Sequence, residues 1–177
     1  MSQKFSEGKD YKVLAVCITQ FNEQRQEELL KELIRQGKER HYKIMIFSSL
    51  CDFYEYNIDQ IGEEQIYYAF DPARFDAVII FSELFKIIDI PKKIALRAKH
   101  VGVPVISVGG LIEGCLNLNV KSGVAFTDIV RHVVEHHHVK RINFIAGLKN
   151  EFNSEERLKA FRKVMEENHL EVDEDRI

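Results

Sequence analysis

Val13-Leu14-Ala15-Val16-Cys17-Ile18 is an unbroken apolar run, too short for a core helix and without the polar alternation of a half-solvated strand. Such a run fits a central strand of a parallel sheet, covered on both faces. The segments C-terminal to it set the fold. From Asn22 to Lys38, Leu29, Leu30, Leu33 and Ile34 fall on one helical stripe among charges, with Asn22 placed to cap the start and Gly37 near the end. The alternation then repeats. Tyr42 to Phe47 reads as strand, Asp59 to Phe70 as helix, Ala77 to Phe81 as strand, and Pro91 to His100 as a helix with proline in its first turn. Val103 to Val108 is a further strand, ending at Gly109-Gly110. Glu113 to Asn119 reads as a loop leading into a helix from Gly123 to His137. Arg141 to Ala146 reads as another strand, and Ser154 to Asn168 as a last helix capped by Asn153 or Ser154. The acidic tail from Glu166 to Ile177 shows no packing pattern. This rhythm predicts an α/β fold, a doubly wound, mostly parallel sheet in a Rossmann- or flavodoxin-like three-layer arrangement.

Composition narrows the function classes. At 177 residues the chain suits one domain, or one plus part of a second. Its 25 Lys and Arg against 28 Asp and Glu give a net charge of −3, without the basic surplus of a protein that grips nucleic acid through phosphates. Cys17, Cys51 and Cys115 are odd in number and include no CxxC, which argues against a disulfide framework and for a reducing, cytoplasmic home. The stretch from Met1 to Lys12 has no apolar leader core, and no apolar run approaches the roughly 20 residues that cross a bilayer. No direct nucleic-acid or membrane partner is expected.

Doubly wound sheets bind ligands at the carboxyl ends of their strands. After the first strand comes Thr19-Gln20-Phe21-Asn22-Glu23, with neither GxGxxG nor GxxxxGK[ST], so dinucleotide and P-loop nucleotide binding are not expected and no cofactor is implied. Phosphate-accepting receivers need clustered aspartates where this chain has Thr19-Gln20 and Phe81-Ser82. Gly109-Gly110 reads as a tight turn, with an anion cradle of backbone N–H groups as the alternative. His136-His137-His138 reads as a helix end and not a chelate, because consecutive side chains on a helix diverge. Asp52 with Glu55, or Glu63 with Glu64, fit exposed carboxylates better than acid–base pairs. The aromatics Phe53-Tyr54-Tyr56 and Tyr67-Tyr68-Phe70 divide between core and a possible stacking wall. Cys17 reads as core. No catalytic residue and no metal ligand is expected.

Longer phrases are more specific. Val103-Pro-Val-Ile-Ser-Val108, Ile112-Glu-Gly-Cys-Leu-Asn117, Gly123, Val139-Lys-Arg-Ile-Asn-Phe-Ile-Ala-Gly147 and Ser154-Glu-Glu-Arg-Leu-Lys-Ala-Phe-Arg162 occur in an order that resembles the type I periplasmic-binding-protein fold of the LacI/GalR ligand-binding domains. Leu14-Ala-Val-Cys-Ile-Thr-Gln-Phe-Asn22 is similar to that family's first strand. The phrases Ile112-Glu-Gly-Cys115, Val139 to Gly147, Glu155-Glu-Arg-Leu-Lys-Ala-Phe161 and Gly62-Glu-Glu64 resemble most a subgroup in which this sensor precedes a GGDEF diguanylate cyclase domain. The resemblance implies a ligand-sensing regulatory domain, a fused output domain, a homodimer and no enzymatic activity in these residues. Two alternatives of the same fold stand beside it, a degenerate dimerisation module and the sensor of a LacI-type transcription regulator.

The family's domain has two lobes. By resemblance, residues 1–11 are a flexible segment too short for a helix-turn-helix, residues 12–120 are the first lobe, and residues 121–177 open an incomplete second lobe. The apolar faces of Ile142, Phe144, Leu158 and Phe161 are then expected to find substitute neighbours, in the first sheet as a fifth strand or in another chain. Arg157 matches the family arginine that binds ligand in the cleft, where a guanidinium forks to hydroxyls or a carboxylate. Gln20 and Phe21, at the end of the first strand, are expected to line the cleft. Gly109 stands where the family often carries an acid. The family's Asp-Asn pair appears as Asn119-Val120, and its Asn-Pro-aromatic-aromatic as Glu23-Gln-Arg-Gln26. Those departures weaken the implication of a sugar.

Overall fold

The computed structural model describes residues 2–53, 58–87, 89–149 and 151–177. It forms two compact units, Met1–Leu118 and Asn119–Ile177. The first contains strands β1 (Lys12–Thr19), β2 (Tyr42–Ser49), β3 (Ala77–Ile80), β4 (Val105–Val108) and β5 (Leu116–Leu118). Its helices are α1 (Gln24–Glu39), α2 (Ile58–Glu64) and α3 (Asp89–His100). The sheet order is β2-β1-β3-β4-β5, and every pairing is parallel. The doubly wound, parallel α/β arrangement expected from the sequence is the one observed.

The apolar run at β1 is central, paired on both sides. Its side chains alternate between two cores. Val13, Ala15 and Cys17 join Val78, Ile80, Ile90, Ile94 and Ala98 on the α3 face. Leu14, Val16 and Ile18 meet Leu29, Leu30 and Leu33 of α1 on the other. This two-sided burial explains why the run carries no polar alternation. Gly37 lies inside α1, where an added Cβ would meet the Ile44 side chain at 3.1 Å, so the glycine permits close approach of helix to β2. The helix therefore continues past it to Glu39. At the other end α1 begins after Glu23 and not Asn22, because Gln20 adopts φ 51° and closes a turn in which the Glu23 N–H donates to the Gln20 carbonyl at 3.0 Å.

The stretch Asp59–Phe70 is broken, not one helix: α2 stops at Glu64 and a 3-10 turn, Gln65–Tyr67, takes over. That turn inserts Tyr67, fully buried, whose hydroxyl donates to the Ile18 carbonyl at 2.6 Å and accepts from the Ser49 N–H at 3.0 Å. Arg97 of α3 closes the same region by donating to the carbonyls of Tyr67 at 2.8 Å, Tyr68 at 3.2 Å and Phe70 at 2.8 Å. Segment 1–11, expected to be flexible, packs Phe5 edge-on to Phe75 at 5.2 Å, with the Phe5 N–H donating to the Arg74 carbonyl at 2.9 Å.

β5 occupies a stretch whose sequence predicts loop. Asn117 holds it in place: its side chain accepts from the Ile112 N–H at 2.9 Å and donates to the carbonyls of Ile112 and Cys115, each at 3.1 Å. The phrase Ile112-Glu-Gly-Cys-Leu-Asn117 is thus a tied loop feeding an edge strand.

The second unit comprises α4 (Ser122–Arg131), a π-helical turn (His132–His136) and α5 (Phe152–Glu167). Its core joins Val130 and Val134 to Phe161, Val164 and Met165. Three expectations fail here. Arg141–Ala146 forms no strand, since the unit has no other strand among the described residues to share a ladder; Ile145 is 96% exposed and the Phe144 N–H donates to the Arg176 carbonyl at 2.8 Å. The acidic tail does pack: Leu170, Val172 and Ile177 lie against the core, and Arg162 holds Glu174. α5 is capped by Glu151, whose carboxylate accepts from the N–H groups of Asn153 at 3.0 Å and Ser154 at 2.7 Å, in place of the expected Asn153 or Ser154.

Candidate functional site

The carboxyl edge of the first unit's sheet is where four strands deliver polar groups. β1 ends in buried Thr19, whose hydroxyl donates to the Leu84 carbonyl at 3.1 Å. The left-handed Gln20 beyond it donates its N–H to the Ser49 carbonyl at 2.8 Å, and this bend leaves Phe21 47% exposed. Gln20 lines an open groove of about 590 Å³ with Glu23, Gln24, Arg25, Gln26 and Glu28.

Beyond β3 and β4 the edge is stiffened by a buried hydroxyl chain. Ser82 and Ser107 share a hydrogen bond at 2.6 Å; the Ser82 hydroxyl also reaches the Val108 carbonyl at 3.1 Å, and that of Ser107 the Gly110 carbonyl at 3.0 Å. Each hydroxyl has one proton, so whichever serine donates to its partner leaves the other free to donate to its own carbonyl. Gly109 takes φ +79°, and its N–H donates to the Leu118 carbonyl at 2.9 Å. Gly109 thus has the left-handed conformation that the tight-turn reading requires, and its N–H is spent on the Leu118 carbonyl.

The space beside Gly109 belongs to Glu83. A Cβ at position 109 would lie 2.5 Å from the Glu83 side chain. The Glu83 carboxylate in turn accepts from Arg25 at 3.0 Å. Sequence reading missed both residues. Glu83 sits just past a strand end, as ligand-facing groups in this fold do, and that position was the available signal.

Of the four expected site residues, Gln20 and Phe21 stand together at the end of β1, and Gly109 lies two strands away on the same edge. Arg157 is on α5 in the second unit, exposed and without an ion pair among the described residues. That unit has its own groove of about 380 Å³, lined by Asn119, Lys121, Ser122, Phe152, Glu156 and Lys159 among others.

The remaining candidates take structural places. Cys17 is fully buried, and burial pushes its thiol well above the usual range. Burial also raises the thiols of Cys51 and Cys115. Glu63 accepts from the N–H groups of Leu50 at 2.7 Å and Cys51 at 3.1 Å, while buried Glu64 faces Tyr68 and lies 3.8 Å from Lys93; the two carboxylates are structural. Tyr54, Glu55 and Tyr56 lie outside the described residues; Phe53, Tyr67 and Phe70 are core. Among the described residues no group of three or more His, Cys, Asp or Glu is placed to hold a metal ion, and no helix is long and apolar enough to cross a membrane.

No family model matches the sequence, and no curated protein matches it. Solved structures do. Transcription regulator CcpA of Lactococcus lactis superposes with a TM-score of 0.70 at 16% identity, covering 94% of this chain and 57% of that one. A PurR family transcriptional regulator from Vibrio parahaemolyticus gives 0.66 at 20% identity, covering 91% and 57%. The LacI family transcriptional regulator CCPA from Weissella paramesenteroides with bound glucose gives 0.66 at 19% identity, covering 90% and 55%. The chain spans little more than half the length of these structures. Together with the strand order, the likeness establishes the fold as the periplasmic-binding-protein-like architecture of LacI-type ligand-binding domains.

Proposed function

We propose that the chain is the effector-binding part of a LacI-type transcription regulator, cytoplasmic and acting as a homodimer, with residues 12–120 as its first lobe and residues 121–177 as the opening of a second. The observation that carries this reading is the carboxyl edge itself, where half-buried Gln20 and Glu83 and exposed Phe21 and Arg25 present polar and aromatic groups on a rigid sheet. Such an edge suits a small polar effector held by hydrogen bonds, with a population shift between lobe arrangements as the signal. Glu83 supplies the acceptor that the missing side chain at Gly109 withholds, which returns a polyhydroxylated ligand to consideration. Arg157 is the proposed second-lobe contact. The named neighbours are transcription regulators, one with bound glucose, and this favours the regulator over a sensor fused to a GGDEF cyclase, which keeps only the sequence phrases in its support.

Calorimetric titration with pentoses, hexoses and purines tests the proposal. The expected result is saturable binding of one class, weakened about tenfold or more by Gln20→Ala or Glu83→Ala. A second reading, a dimerisation module that binds no effector, is favoured by the pairing of Arg25 with Glu83, which satisfies both charges without a ligand. Absence of binding across the panel, with a dimer by light scattering, selects that second reading.

A further inference from the structure

Helix α4 does not finish as an α-helix. Its last turn, His132–His136, is π-helical, and the His137 N–H reaches back five residues to the His132 carbonyl at 3.4 Å. In an α-helix, residues five apart are turned about 140° from one another and their side chains do not meet. The wider π turn brings positions i, i+4 and i+5 to one side. The outcome is a group of exposed imidazoles that the run His136-His137-His138 alone does not announce. His132 and His136 stack with ring centroids 4.8 Å apart, and His137 stands edge-on to both at 4.8 and 5.1 Å. Nε2 of His132 lies 3.1 Å from Nε2 of His137.

That separation has a chemical meaning. Two imidazole nitrogens bound to one ion at about 2.0–2.1 Å sit about 2.8–3.4 Å apart, for angles at the metal between a right angle and the tetrahedral value. The 3.1 Å spacing falls within this window, so that modest ring rotations suffice to turn both nitrogens toward one ion. The two nitrogens also share a proton poorly as a lasting state on an exposed surface, where water competes for the bond. The nearby acids are engaged: Arg131 pairs with Asp128 of α4 at 3.5 Å and with Glu135 of the turn at 3.7 Å. The donor set is thus nitrogen, which selects copper, nickel or zinc over magnesium or calcium.

We propose that this π turn is a surface site for a divalent transition-metal ion, with Nε2 of His132 and of His137 as adjacent ligands and water completing the shell. Both nitrogens bind unprotonated, with the ring protons on Nδ1. Cu²⁺ binds tightest, in line with the general order of first-row ions. The bound ion spans positions five apart and so fixes the π register of the turn. The site is independent of the effector reading, since it uses none of its residues.

The test is titration of the full chain with CuCl₂ in a non-coordinating buffer, followed by calorimetry and electron paramagnetic resonance. The expected result is one Cu²⁺ per chain with at least two nitrogen ligands, unaffected by excess Mg²⁺. His132→Ala and His137→Ala each weaken binding about tenfold or more, while His138→Ala, outside the ring cluster, changes it less than about twofold. All three residues are exposed, and unchanged far-ultraviolet circular dichroism verifies folding. Affinity insensitive to His132→Ala and His137→Ala, equal loss with His138→Ala, or no binding beyond that of the doubly substituted chain each overturns the proposal.

Discussion

Gly109 combines two constraints that separate cleanly by mutation. Its φ of +79° is a left-handed conformation that a Cβ strains, and the same Cβ would meet Glu83 at 2.5 Å. Gly109→Ala is expected to destabilise the first unit by about 1–3 kcal/mol in urea denaturation. In a Glu83→Gly background, which removes the Cβ as well as the Cγ and Cδ that crowd position 109, the steric part disappears and the added cost of Gly109→Ala falls toward about 1 kcal/mol; an unchanged cost in both backgrounds refutes the crowding. Asp76 supplies the pH dependence at this scale. Burial pushes its carboxyl up, but the Ser6 hydroxyl, the Val13 N–H at 2.8 Å, and Lys12 and Lys4 at 3.7 and 3.5 Å outweigh it and hold the group below the usual carboxylate range. A depressed folded-state pKa contributes stability that is present above about pH 4 and is lost as pH falls through the lower folded value. Asp76→Asn should therefore lower the urea midpoint at neutral pH and flatten its decline in acid. A wild-type decline of the same steepness in the variant counts against the assignment.

At the scale of elements, β5 tests how a short edge strand is held. Asn117 makes three hydrogen bonds to its own loop, and the Leu118 carbonyl accepts the Gly109 N–H. Asn117→Ala is expected to speed amide hydrogen exchange at Gly109 while leaving the amides of β1 as slow as before; equal acceleration in β1 shows that the edge is not a separate cooperative piece. The same element marks the boundary of what is legible in sequence. β1, β3 and β4 announce themselves because covered strands of a parallel sheet demand apolar runs, and the half-solvated edge strand β2 still carries Ile44, Met45, Ile46 and Phe47 in sequence. Three residues with Leu116 and Leu118 pointing outward at 68% and 63% exposure leave no such pattern. Arg141–Ala146 has the composition of a strand, yet composition gives no ladder partner, and without one the segment stays irregular. The caps of α1 and α5 fall one to three residues from their predicted places, because a left-handed Gln20 and a capping Glu151 side chain are not periodic signals. The site is half visible: the end of β1 is found from strand order, whereas Glu83 becomes important only once its side chain is seen filling the space beside Gly109.

At the scale of the molecule, the two units differ in what sustains them. The first has two layers of core around a five-stranded sheet, while the second rests on one cluster between α4, its π turn and α5. A core that small is marginal by area alone. Unfolding is expected in two steps, the second unit melting first, with Phe161→Ala lowering the first step and sparing the later one; one shared transition in both proteins rules this out. The placement of Tyr67 gives that experiment its colour. The chain has no tryptophan, and its six tyrosines, at positions 11, 42, 54, 56, 67 and 68, all precede residue 119. Intrinsic tyrosine emission and the near-ultraviolet dichroism of the locked Tyr67 ring are thus private reporters of the sheet, blind to the helical pair beyond it. The molecule carries its own optical label on one unit, and a melting step seen by far-ultraviolet dichroism but not by tyrosine emission belongs to the other.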